Sequence, residues 1–278
     1  MLNQSRLYTF IDKDKKFALY FLEGQKLIHD LVLALNPRRA GFSYFRTIVL
    51  SVQLMLGLLK QRESFCVYID SESPYFRLKL EMNAMGLMRA MMYSDLLDST
   101  PENVTGQLRL LKFLPSSEMP YQSIVSLDGV GAGEIINEVL ERSYQVKSRI
   151  AVSQDSDQSF MLHQLPLSAK ETPSDIDTVF AQYAGPLNDV MKQALMDEDA
   201  IIGAMEKIGF KFLASKPVEF KCGCSKQQMI ENLKRVANTS EEPLFGPGEE
   251  MLETVCQYCN TAYKITKQEV EASPPDNQ

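Results

Sequence analysis

The chain has 278 residues, 45% hydrophobic and 23% charged, a composition that excludes a disordered polypeptide and suggests about two domains. A net charge of -7 excludes a nucleic-acid binder held by a sheath of basic side chains. The most apolar run, Thr47 to Leu59, is interrupted by Ser51, Gln53 and Gly57 and falls short of the ~20 residues a membrane span needs, so no membrane association is expected.

Near the N-terminus, Asp12, Lys13, Asp14, Lys15 and Lys16 stand where an export signal would be apolar. A cytoplasmic protein with reduced thiols is therefore expected. Leu7, Thr9 and Ile11 alternate with Tyr8 and Phe10, and the polar turn Asp12 to Lys16 leads into Phe17 to Leu22, which predicts a β-hairpin. Helical spacing of Leu27, Ile28, Leu31 and Leu35 predicts a helix from Gly24 to Leu35. Tyr44 to Lys60 is apolar on most faces and reads as a buried core helix. Strands are predicted at Ser64 to Ile69, Phe76 to Met82, Gln107 to Leu114 and Gln122 to Leu127, then a helix at Glu134 to Arg142. Two further strands, Ser148 to Ser153 and Ser159 to Gln164, complete the segment. Without regular strand–helix alternation, the class is α+β, with a mixed core over residues 1–170.

Residues 171–216 read differently. Short amphipathic helices, Ile176 to Tyr183, Leu187 to Met196 and Ala200 to Ile208, are broken by Gly185, Pro186, Gly203 and Gly209 and by the acidic knot Asp197 to Asp199. Glycine inside a helix costs ~1 kcal/mol relative to alanine, so this segment is expected to be a metastable helical linker. Its apolar residues, among them Phe180, Met191, Ile202 and Met205, are expected to dock on an apolar patch of the core. Residues 217–271 form a small C-terminal domain, and 272–278 a disordered tail.

Of five cysteines, four lie in that small domain as Cys222-Gly-Cys224 and, after a long spacer, Cys256-Gln-Tyr-Cys259. Two close pairs separated by a spacer is the arrangement of a tetrahedral zinc site, with each pair offering two thiolates from one turn. Gly223 is expected to allow the close backbone approach of a one-residue gap. A domain of only about 50 residues has too little core to stand without such a staple. Lys221, Lys226, Lys264 and Lys267 flank the sulfurs and favour their deprotonated forms. Bound thiolates remain oxidisable, so the site is either a purely structural zinc ribbon in an interaction protein or a redox switch acting on the linker.

The segment Val218 to Ser225, with Cys256 to Tyr263, resembles the C-terminal redox switch of the heat-shock protein 33 family, bacterial redox-regulated holdase chaperones. The resemblance extends to Tyr121 to Gly129 and to Ser148 to Val152, in the same order of core, linker and zinc domain. It implies Zn²⁺ held by Cys222, Cys224, Cys256 and Cys259 in a reduced, inactive monomer. It further implies that oxidation forms Cys222–Cys224 and Cys256–Cys259 disulfides, releases zinc, unfolds the linker and exposes a surface that binds unfolding client proteins without ATP. Activated members form homodimers. No enzymatic activity is implied.

Other features receive plainer readings. Gly129, Gly131 and Gly133 follow a strand and precede a helix, as in a dinucleotide loop, but the third glycine falls one place early and Glu134 stands beside the position of the phosphates. An NAD-type enzyme is therefore the weakest reading. Cys66 is expected to be a buried small hydrophobe, and His29 and His163 structural. Met82, Met85, Met88, Met91 and Met92 are expected mostly to fill core, the alternative being a methionine-rich surface for varied apolar partners.

Overall fold

In the computed structural model the described residues are 2–14, 16–37, 39–93, 102–166, 175–193, 197–240 and 242–272. The chain divides into two compact units, Met1–Phe220 and Lys221–Gln278. The fold is mixed α+β, as expected.

Strands β1 (Arg6–Asp12) and β2 (Phe17–Glu23) form the predicted hairpin. Its turn is closed by the Asp12 carboxylate, which accepts hydrogen bonds from the amides of Lys16 (2.7 Å) and Phe17 (2.8 Å). Helix α1 (Gln25–Leu35) is followed by α2 (Arg39–Gln53), which tightens into a 3-10 turn at Leu54–Leu58. That stretch contains the one helix among the described residues long and apolar enough to cross a membrane. Here it is a core helix: Ile48, Val49, Leu50 and Val52 are completely buried. Then come β3 (Ser64–Ser73), β4 (Tyr75–Asn83), β5 (Leu87–Tyr93), β6 (Asn103–Phe113) and β7 (Tyr121–Gly131), helix α3 (Ile135–Arg142), and β8 (Ser148–Val152) with β9 (Gln158–Gln164). Strand β5 lies where no strand was expected. Met82 and Met88 are buried, whereas Met85 is exposed in the β4–β5 turn, so the methionines only partly fill core.

The segment expected as a linker contains α4 (Ile176–Met191), α5 (Glu198–Ile208) and strand β10 (Phe210–Pro217), followed by the two-residue β11 (Glu219–Phe220). Two sheets result, with strand orders β10-β1-β2-β9-β8 and β11-β5-β4-β3-β6-β7. Helices α1 to α3 share one apolar core with one face of each sheet. The other face of the first sheet makes a second core with α4 and α5. Period-two geometry explains why β2 is buried along its whole length: Ala18, Tyr20 and Leu22 enter the first core, and Phe17, Leu19 and Phe21 the second.

The second core is the docking expected of the linker. Met191 and Met205 are buried in it, and Phe180 and Ile202 pack at its margin. Several details differ from expectation. Helix α4 is one helix that runs through Pro186, because residues on both sides of the break, Val179 and Phe180 before, Leu187 and Val190 after, pack into the same cluster. The expected helical stretch to Met196 ends in residues 194–196, outside the described residues. The acidic knot begins α5: the Asp197 carboxylate accepts from the Ala200 amide at 2.8 Å, and Glu198 and Asp199 occupy the first turn, where the helix dipole favours negative charge. Those acids therefore stabilise the helix. Strand β10 pairs antiparallel with β1, so the compact unit continues past the expected core end near residue 170 and closes at Phe220.

At Gly86 the chain needs glycine. It has φ +84°, and a side chain there would run into the carbonyl of Pro217. Its own carbonyl accepts from the Glu219 amide at 3.0 Å, which starts the parallel pairing of β11 with β5.

The second unit contains α6 (Lys226–Thr239), the hairpin β12 (Met251–Val255) and β13 (Ala262–Thr266), and α7 (Lys267–Glu271). Its buried apolar cluster is small, centred on Ile230, Ile265 and Val270. Of the expected tail, residues 273–278 lie outside the described residues.

Candidate metal centre

Cys222 and Cys224 lie in irregular chain just before α6. Ser225 caps that helix, its hydroxyl accepting from the Gln228 amide at 3.2 Å, which fixes the exit of the first cysteine pair. Gly223 is not positioned as expected: a Cβ there would meet nothing within 4 Å, and its φ lies outside the left-handed region. The one-residue gap needs no glycine.

The second pair occupies the turn of the β12–β13 hairpin. The Cys256 carbonyl accepts from the Asn260 amide at 2.8 Å, and the Cys256 amide donates to the Thr261 carbonyl at 3.0 Å. Asn260 takes the left-handed conformation (φ 55°) that reverses the chain, a conformation asparagine tolerates.

The four sulfurs lie within 4.8 Å of one another. Cys222 Sγ is 3.7 Å from Cys256 Sγ, and Cys224 Sγ is 3.4 Å from Cys259 Sγ. A tetrahedron with bonds of about 2.3 Å has edges of about 3.8 Å, so the donor set fits a tetrahedral thiolate-bound metal such as zinc. The close contacts run between the two pairs, joining the first turn to the hairpin.

Protonation follows position. Burial, with the neighbouring thiols, pushes the Cys222 thiol up to about 12, and burial also raises Cys256. Burial would raise Cys259 as well, but hydrogen bonds from the Thr261 side chain and backbone and from Cys224 and Cys222 outweigh it and bring that thiol down to about 7. Sequence reasoning missed two of the polar partners. Thr261 Oγ1 lies 3.2 Å from Cys259 Sγ, and the Tyr263 hydroxyl 3.1 Å from Cys224 Sγ. Both belong to the Cys256 to Tyr263 motif, and Tyr263 faces the sulfurs because it alternates with the outward Lys264 on β13. Of the flanking lysines, Lys226 is engaged by Glu269 at 2.6 Å, and Lys267 lies 3.9 Å from Glu271.

The remaining candidates lie elsewhere. Cys66 is buried in β3, and burial raises its thiol to about 11, as for a structural cysteine. His29 is exposed beside Asp30, while burial lowers His163. In the glycine-rich turn, Glu134 precedes α3 and accepts from the Asn137 side chain at 2.9 Å, which sets a negative charge beside the start of that helix.

Comparison with known proteins gives one consistent answer. A family profile described as Hsp33 protein matches residues 5–266. The 33 kDa chaperonin of Shouchella clausii is 26% identical over 79% of this chain and 80% of its own length. The 33 kDa chaperonin of Nitrosococcus oceani is 23% identical over 98% of this chain and 94% of its own. The crystal structure of the 33 kDa chaperonin (heat shock protein 33 homolog) from Thermotoga maritima shares the fold, with a TM-score of 0.66 and 16% identity over 97% of each chain. Since the family match runs from the first strand through both cysteine pairs, the chain belongs to the Hsp33 family.

Proposed function

We propose that this protein is a redox-regulated, ATP-independent holdase, in which the four-cysteine unit controls whether α4, α5 and β10 stay on the core. Family membership supports a chaperone function, and the observation that carries the regulatory part is four sulfurs within 4.8 Å in a unit with a very small apolar core. When bound, Zn²⁺ supplies a cross-link between the Cys222–Cys224 segment and the β12–β13 hairpin, held by all four thiolates. A unit this poorly cored depends on such a cross-link for its fold.

Hydrogen peroxide converts two of these thiolates to one disulfide: the S–S bond forms as the O–O bond breaks, and with two protons taken up from water the peroxide leaves as two waters. Pairing Cys222 with Cys224 and Cys256 with Cys259 leaves each disulfide local, so the cross-link from the turn to the hairpin is lost and only the small apolar cluster remains to join them. Loss of that unit's fold releases the linker and bares the apolar face of the first sheet to unfolding client proteins. The oxidised protein acts as a homodimer, the reduced one as a monomer, in the cytoplasm.

The deciding experiment is suppression of a thermally unfolding client's aggregation by reduced and by peroxide-treated protein at elevated temperature. Activity confined to the treated sample is expected. Equal activity in both, with the thiols of the treated sample shown to be oxidised, would instead favour an interaction protein with a structural metal ribbon.

A further inference from the structure

Helix α4 ends without a glycine cap or a basic residue in its last turn, so its final carbonyls need partners from elsewhere. The core supplies them from residues 153–158, the loop after β8 together with the first residue of β9. The Ser156 hydroxyl donates to the Met191 carbonyl at 2.6 Å, and the Gln158 amide nitrogen lies 3.4 Å from the Gln193 carbonyl. Gln158 is held in place by its second hydrogen bond, to the Glu23 carboxylate at 2.7 Å, and is almost fully buried.

The loop is itself clamped. The Arg46 guanidinium of α2 reaches the Asp157 carboxylate (2.5 Å), the Ser153 carbonyl (3.0 Å) and the Ser156 carbonyl. From the other side the Gly24 amide donates to the Asp157 carbonyl at 2.8 Å. At its N-terminal end α4 meets the core differently, through Ile176 and Phe180 in the apolar cluster and through Arg149, which donates two hydrogen bonds to the Asp177 carboxylate at 2.5 and 3.1 Å.

We infer that loop 153–158, positioned by Arg46, is a latch on the C-terminal end of α4 that sets how readily the linker leaves the core. The latch rests on the regulatory reading above and adds to it a control point remote in sequence from the cysteines. It holds α4 by directional bonds to its backbone, so it resists fraying of that end whatever the state of the thiols.

The test uses the full-length reduced, zinc-loaded protein and two variants, Ser156→Ala and Arg46→Lys. The first removes one hydrogen bond to the helix end. The second keeps the charge but cannot span three acceptors. Hydrogen exchange of residues 176–193 should quicken by about fivefold in Ser156→Ala and by more in Arg46→Lys, with exchange in β2 and β3 and in 226–271 unchanged. Either variant, folded by the β2 and β3 criterion and exchanging α4 at the wild-type rate, overturns the latch. Aggregation suppression by the same samples separates this from the wider reading. Faster α4 exchange with no gain in activity at partial oxidation leaves the latch standing and counts against linker release as the source of client binding.

Discussion

A methyl group added at Gly223 would touch nothing, whereas the Tyr263 hydroxyl touches a sulfur and Cys256 is a buried donor. These three positions should therefore rank by consequence. Gly223→Ala is expected to bind zinc as wild type does. Tyr263→Phe loses an outer-shell partner, a change worth about 10- to 100-fold in metal affinity. Cys256→Ser leaves three thiolates and should lose more than that. Competition with a chromophoric chelator measures all three, and wild-type affinity in Cys256→Ser would remove that sulfur from the site. The clustering of the four sulfurs was legible because close cysteine pairs have few other uses in a reduced chain. Tyr263 and Thr261 were not, since a strand tyrosine and a turn threonine carry no sign of their neighbours until the hairpin closes.

Helix α4 contains Gly185 and Pro186, and α5 contains Gly203, yet both helices form. At Gly185 and Gly203 an added methyl would meet no atom. Alanine at Gly203 is thus expected to stabilise the docked linker by about 1 kcal/mol, and alanine at Pro186 by up to about 3 kcal/mol through the restored backbone hydrogen bond. On the proposed mechanism both variants need more peroxide or higher temperature for half-maximal aggregation suppression, with Pro186→Ala shifted further. Unshifted midpoints despite slower exchange in α5 would show that linker stability does not set the threshold. The same elements show where periodicity misleads. A Gly-Pro pair normally ends a helix, and here tertiary packing on both flanks overrides it. Strand β10 was missed because Phe210 to Pro217 shows no sustained alternation, Leu213 and Ala214 breaking the pattern begun by Phe210 and Phe212, and its stability comes from the ladder with β1. Strand β5 was missed because Leu87 to Tyr93 is methionine-rich, and methionine has no strand preference to announce. The hairpin β1–β2, helices α1 to α3 and strands β3, β4 and β6 to β9 were legible because their apolar periods match the faces they bury.

For the whole molecule the central question is whether release of α4, α5 and β10 is enough to create a client surface. Their removal would uncover Tyr8, Phe10, Leu19, Phe21 and Phe160 on one sheet face and leave β1 as an unpaired edge, two features that bind unfolded chains. A charge inside this interface can force release without oxidant. Met205 is completely buried and Ile202 only partly, so their aspartate variants should differ. The Met205→Asp carboxylate cannot stay in the apolar cluster without a cost of several kcal/mol. The Ile202→Asp carboxylate can turn toward water and should do less. On the proposed function, Met205→Asp should bind Zn²⁺ as the unsubstituted protein does, because the four cysteines lie in the other unit, and should suppress client aggregation while fully reduced. Hydrogen exchange should be fast across 176–217 and unchanged across β2, β9 and 226–271. If the linker exchanges freely and the reduced variant stays inactive, exposure of this sheet face is insufficient. The binding surface would then have to come from the oxidised C-terminal unit or from association of two chains. Peroxide treatment of the same variant distinguishes those two: clients held per chain that increase with protein concentration at a fixed client-to-chain ratio point to association, and a constant number per chain to the unfolded C-terminal unit.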